Sequence, residues 1–277
     1  MATNGFVSDL RRRFGQGDIV MRLLYINVAA FLVVSFCNIL LVLFNASPLL
    51  WSRYLELPAS VGQFVCQPWS LFTYMFMHAG LLHILFNMLW LYWFGRLFLL
   101  RFSSRHLRGV YVLGGVCGGL LYMLAYNVFP YFADRLSGAY LVGASASVLA
   151  IAVATAVRMP DYQIRLLFIG TIRLKYVAIL VVVLDLLFMT SDNAGGHIAH
   201  IGGALAGWWF AAGLTRGYDI TRWINVVFDF FGGKYFERKT PPKIKVHYSE
   251  RQNDYDFNAR KKAQSDEIDR KIGRAHV

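Results

Sequence analysis

The stretch "LLHILFNMLWLYWFGRLFLL", residues 81–100, decides how the chain must be read. At about 1.5 Å per residue it reaches roughly 30 Å as a helix, the thickness of a bilayer's hydrocarbon core. Its only formal charge, Arg96, stands near one end, yet His83 and Asn87 lie inside it. Similar apolar runs, bounded by charges, turn residues or Pro, lie at about residues 20–45, 109–129, 141–157, 174–190 and 198–215. The 277 residues are 57% hydrophobic and 16% charged, with a mean hydropathy of +0.45, outside the soluble range. These patterns predict an all-α polytopic membrane bundle of six transmembrane helices.

A formal charge of +12 would suggest a nucleic-acid partner in a soluble protein, but its placement excludes that reading. Arg11, Arg12, Arg13 and Arg22 precede span one; Arg96, Arg101, Arg105 and Arg108 separate spans two and three; Arg158, Arg165, Arg173 and Lys175 separate spans four and five. The opposite connections hold only Arg53 and Arg135. Positively charged loops stay in the cytoplasm, so both termini are expected there. The expected layout is a cytosolic segment over residues 1–19, a membrane domain over 20–215 and a basic cytosolic tail over 216–277 with fourteen Lys and Arg. The partner this implies is the lipid bilayer, not nucleic acid.

The first apolar run is long enough to span and lacks a convincing cleavage site, so it is expected to act as its own anchor. Cys37, Cys66 and Cys117 show no C-x-x-C spacing and read as packing residues. Residues 46–80, rich in aromatics and interrupted by Pro48, Pro58 and Pro68, read as a long outer connection at headgroup depth. Past about Gly232 the composition turns polar, predicting a flexible extension with a short helix near "ARKKAQSDEIDRKI".

Polar residues inside spans are costly and point to function. They are His83 and Asn87 in span two, Ser145 and Ser147 in span four, Asp185 in span five, and His197 and His200 at the start of span six. Spans two, four and six run in the same direction, so distance from the cytosolic charge measures depth. Ser145 and His83 each precede their arginine, Arg158 and Arg96, by 13 residues, roughly 20 Å, and His200 precedes Arg216 by 16, roughly 24 Å. All three fall at one height in the outer third of the bilayer. A serine needs a base to take its proton, and histidine is the usual one. No Asp or Glu lies at that depth on these three spans, which favours a Ser145–His200 dyad over a triad. Asn87 and His83, four residues apart on one helix face, and the Ser145 amide could stabilise an oxyanion. Gly143 lets the chain pass close to a neighbour. Taken alone, "GASA" and "GGALAG" read more readily as small-residue seams for helix packing. A packing role leaves the common depth unexplained.

"GASA" at 143–146, "HILFN" at 83–87 and "AHIGGALAG" at 199–207 resemble the three motifs of the rhomboid family of intramembrane serine proteases. The resemblance runs over about residues 20–215 and includes the six-span plan. It implies a serine endopeptidase that cleaves transmembrane protein substrates near the outer face, with no cofactor or metal, in the bacterial plasma (inner) membrane. It makes Ser145 the nucleophile and His200 the base, gives His83 and Asn87 oxyanion roles, packs Gly203 and Gly207 against span four, and makes spans two and five the lateral gate. Ala146 replaces a frequent Gly, Leu149 stands where some members carry an aromatic ring against the base, and Trp69–Ser70 stands where a W-R pair is frequent.

Ser147 faces about 200° away from Ser145 and is expected to bond a backbone carbonyl. His197 reads as a solvated loop histidine, and His78 as possible support for the site. Asp185 has no partner identifiable from the sequence. His78, His83, His197 and His200 could converge on a metal, but no H-E-x-x-H motif or supporting carboxylate lies near them in sequence. The alternative to an enzyme is a catalytically inactive rhomboid-like binder of membrane proteins, acting in quality control or trafficking. Retention of both Ser145 and His200 favours the enzyme.

Overall fold

The computed structural model describes residues 18–47, 49–166, 170–231 and 249–273. The expected cytosolic segment up to residue 17, with Arg11, Arg12 and Arg13, lies outside them, as does Pro48. Each apolar run forms a helix. The first, α1 (Ile19–Leu43), is capped by Asp18, whose carboxylate accepts the Met21 amide and also pairs with Arg96. Only Val20, Leu23 and Asn27 of its 25 residues are buried, so nearly the whole helix faces outward.

The connection over residues 46–80 folds into short pieces: α2 (Leu49–Ser52), strand β1 (Leu57–Pro58), α3 (Val61–Cys66), α4 (Ser70–Thr73) and a 3₁₀ turn over Tyr74–Phe76. Next come α5 (Leu81–Phe98), α6 (Ser104–Val128), a 3₁₀ turn over Pro130–Arg135, strand β2 (Tyr140–Leu141) and α7 (Ser145–Arg158). The chain then forms a hairpin of β3 (Gln163–Leu166) and β4 (Gly170–Arg173), followed by α8 (Leu174–Leu187), α9 (Ala194–Thr215) and α10 (Arg222–Phe231). By length and composition α1, α5 and α6 are long and apolar enough to cross a membrane, and α7 is a shorter apolar helix.

Helices α6, α7 and α9 make the core. Eleven of the 14 residues of α7 are buried, most of them alanine or β-branched, so neighbouring backbones approach closely. The expected small-residue seam is present: a Cβ added at Gly203 would stand 2.1 Å from the Ala146 carbonyl oxygen, and one at Gly207 2.1 Å from that of Ala150. Polar bonds secure the periphery. Asn27 on α1 donates to the Tyr111 hydroxyl on α6, and Arg108 reaches Asn225 and Asp229 on α10, where Asp229 also pairs with Arg105.

Two short pairings were not foreseen. Strands β1 and β2 pair antiparallel, Leu57 opposite Leu141 and Pro58 opposite Tyr140, which ties the outer connection to the segment entering α7. The β3–β4 hairpin places Gln163 opposite Arg173, and Asp161 beside it accepts from Lys175 and Arg173. Cys66 is exposed, contrary to its expected packing role, while Cys37 and Cys117 are half-buried; all three are free thiols. The compact unit ends at Lys234 and so includes α10. In the following unit the described element is α11 (Ser249–Gly273), 25 residues long where a short helix was expected; residues 232–248 of the expected extension lie outside the described residues.

Candidate active site

Helix α7 begins at Ser145, four residues later than the apolar run suggests. The residues before it are held extended: Leu141 pairs with Leu57, and the Gly143 amide donates to the Tyr74 carbonyl at 3.0 Å. Gly143 adopts φ +127°, in a region that disfavours a side chain, and a Cβ there would stand 3.0 Å from His83 Cε1 and Nε2. The chain thus turns sharply into α7 with Ser145 in its first turn. The first amide N–H groups of a helix lack partners within it, and they carry the positive end of its dipole. The hydroxyl and these amides share one small region.

His200 comes from α9, second turn, and its Nε2 lies 2.7 Å from Ser145 Oγ. The seam between α7 and α9 holds that distance, because Gly203, three residues beyond His200, rests on the residue after the serine. His83 and Asn87 share a face of α5, as their spacing predicts. The Ala79 amide donates to His83 Nδ1 at 3.3 Å, so the proton of the neutral ring sits on Nε2, beside Gly143. Asn87 donates one amide hydrogen to the His83 carbonyl at 2.9 Å, which leaves its second for the cavity it lines. His78 stacks edge-on against His83, ring centroids 5.2 Å apart, and its Nδ1 lies 3.3 Å from the Phe76 carbonyl. Burial, and next the His83 ring, push the His78 pKa down to about 4. It backs His83 and does not touch Ser145.

Two expectations about α9 and α8 require correction. His197 is not a solvated loop residue: it lies in the first turn of α9, and its Nδ1 donates to Asp185 Oδ1 at 2.8 Å. Asp185 of α8, which had no assigned partner, also accepts the Nδ1–H of His200 on Oδ1 at 2.9 Å. A carboxylate therefore does stand behind His200, although none lies at that depth on the other three spans. The signal was present, since an acid inside an apolar run needs partners and two histidines three residues apart share a helix face. The missing step was the opposite run of α8, which carries its aspartate to the same height. Donor atoms of Asp185, His197 and His200 lie within 4.8 Å of one another, so the carboxylate thought absent from a metal site is also supplied, and these three side chains could hold an ion.

Ser147 is buried, but among the described residues its Oγ has no partner, so the expected bond to a carbonyl is not formed. Leu149 lines the cavity beside His200 as an aliphatic wall.

That cavity, of about 530 Å³, opens between α5 and α8. Leu82, Phe86 and Trp90 line it from α5, Val181 and Leu184 from α8, and Ser145, His200, Asn87 and Asp185 form its polar end. A second, more polar cavity of about 670 Å³ lies on the other side of His83, with Tyr122, Tyr126, Arg135 and Asn193 on its walls.

Comparison with known proteins bears on the same segment. No curated protein matches the chain. The Rhomboid domain model matches residues 65–217, which include α5 to α9 and every residue of the cavity described above. A match over more than half of the 277 residues, carrying a serine at the head of one membrane helix and a histidine on another, assigns the chain to the rhomboid family.

Proposed function

We propose that the protein is an intramembrane serine endopeptidase with Ser145 as nucleophile and His200 as general base. The observation that carries this reading is the 2.7 Å contact between His200 Nε2 and Ser145 Oγ at a helix N-terminus inside an apolar cavity. With the Nδ1 proton held by a carboxylate, Nε2 presents its lone pair to the hydroxyl. Ser145 Oγ attacks the scissile carbonyl carbon and passes its proton to His200. The carbonyl electrons move onto oxygen, where the His83 Nε2–H, the Asn87 amide and the first amides of α7 can donate to it. Collapse breaks the C–N bond, and His200 returns the proton to the leaving amine. Water then attacks the acyl-enzyme with His200 again as base, releasing the acid and restoring the serine.

Access fits two different reactants. The opening between α5 and α8 is apolar and suits a transmembrane segment arriving sideways from lipid. The polar cavity beyond His83 suits water. A helical substrate must unwind locally, since its backbone is otherwise hydrogen-bonded, so substrates should carry helix-weakening residues at the cleavage point. The arginine and lysine distribution supports six spans with both termini in the cytoplasm and the site toward the outer face; a bacterial plasma membrane is the setting that the family resemblance implies.

Purified protein in detergent should cleave a model transmembrane substrate and take up a fluorophosphonate on Ser145, and Ser145→Ala should abolish both. Cleavage that survives Ser145→Ala rules out the assignment. Well-folded protein that neither labels nor cleaves establishes the inactive binder instead.

A further inference from the structure

We propose that Asp185, steadied by His197, is a positioning residue for His200, so that the base is aligned by a carboxylate delivered from α8. The proposal rests on the serine-protease reading above. Its first support is the pair of contacts on one imidazole ring: Asp185 Oδ1 takes the Nδ1 proton at 2.9 Å while Nε2 faces Ser145 Oγ at 2.7 Å. A neutral imidazole carries one proton, so holding it on Nδ1 fixes Nε2 as the acceptor, the tautomer a general base needs. When Nε2 takes the serine proton, the carboxylate faces the imidazolium that forms.

The second support is burial, independent of that geometry. Only two residues of α8 are buried, Leu174 at its start and Asp185 near its end. A carboxylate within a membrane helix is costly unless it is paired and hydrogen-bonded. The partners that Asp185 has, among the described residues, are the two histidines of α9. Both donate to the same oxygen, and Oδ2 is buried with no partner. Two donors on one oxygen pin the rotation of the carboxylate, and His197, one turn before His200 on the same face, is the second pin. Leu149, which lines the same cavity, offers His200 no hydrogen bond.

The consequence is that base alignment depends on the gate helix being in place. Where α8 moves aside, Asp185 leaves with it.

The test compares the wild type with Asp185→Asn, Asp185→Glu and His197→Ala in one detergent, reading kcat, KM, fluorophosphonate labelling of Ser145 and thermal midpoint. An asparagine can donate to Nδ1 and so favours the wrong tautomer. Asp185→Asn is expected to lower kcat about 10²- to 10⁴-fold, with KM within about threefold and labelling slowed in parallel. Asp185→Glu should recover at least about tenfold of that loss, and His197→Ala should lose about tenfold. Should Asp185→Asn not fold, Asp185→Ala with added formate provides the second measure, and formate-dependent return of labelling supports the proposal. Folded Asp185→Asn with kcat within threefold of wild type overturns it, as does activity that merely tracks the folded fraction in every variant or absence of formate rescue in folded Asp185→Ala. Wild-type activity lost to EDTA and restored by zinc also overturns it, making the three side chains metal ligands. Failure of the serine-protease reading is distinct: there the wild type itself neither labels nor cleaves.

Discussion

Helices α7 and α8 are both 14 residues long and apolar, yet they live in opposite surroundings. Eleven residues of α7 are buried and two of α8. The first is built of alanine, serine and valine, small enough for α6 and α9 to lie against its backbone. The second is rich in leucine and valine, many of which point outward and suit lipid; beyond its buried Leu174 and Asp185, it meets the core through the partly buried Val177, Ala178, Val181 and Val182. The contrast separates two tasks. In the proposed protease a nucleophile must be held to within a fraction of an ångström, and a helix clamped on several sides, as α7 is, suits that task. Under the same proposal a substrate enters sideways, and α8, the less buried of the helices beside the cavity, suits that side.

The comparison can be broken most severely at the seam that clamps α7. Gly207→Leu would drive a side chain into the Ala150 carbonyl, 2.1 Å from the position of its Cβ, and should destabilise the bundle by about 3 kcal/mol or more. Its thermal midpoint in detergent should fall sharply, with Ser145 labelling lost alongside. The cavity face of α8 should respond through substrate and not through stability. Val181→Phe narrows the opening, so KM for a transmembrane substrate should rise about tenfold while labelling by a small fluorophosphonate stays near the wild-type rate. Leu186→Ala on the outward face of the same helix should change neither measurement, and a large effect there would mean that α8 docks more firmly than its burial indicates.

A smaller effect comes from His78 behind His83. Its folded pKa of about 4 lies below the ordinary value of 6.5, so between those pH values the unfolded chain binds the extra proton. Stability should therefore be fully present above pH 6.5 and decline as pH falls toward 4, by up to one proton's worth of slope. His78→Asn should flatten thermal midpoints measured across that window. The smallest effect is expected at Ser147, whose buried hydroxyl is unpartnered: Ser147→Ala should fall within about 0.5 kcal/mol of neutral, or slightly stabilise α7.

Much of this molecule is legible in its amino acids alone. Span-length apolar runs foretell helices because lipid leaves the backbone no other way to satisfy its hydrogen bonds. Equal depth on three parallel spans singles out Ser145, His200 and His83, since helical rise converts residue number directly into height. Gly203 and Gly207 announce a close helix contact by their four-residue spacing. Rotation about a helix axis is what such counting cannot supply. It is tertiary packing that turned His197 and His200 together toward Asp185, brought an aspartate in from a helix running the other way, and left Ser147 facing a wall with no acceptor. The same holds for the start of α7: the β1–β2 pairing, between residues more than eighty apart, holds the chain extended until Ser145. Height along the membrane normal is a local property of each span, whereas the direction a side chain faces depends on every neighbour that packs around it.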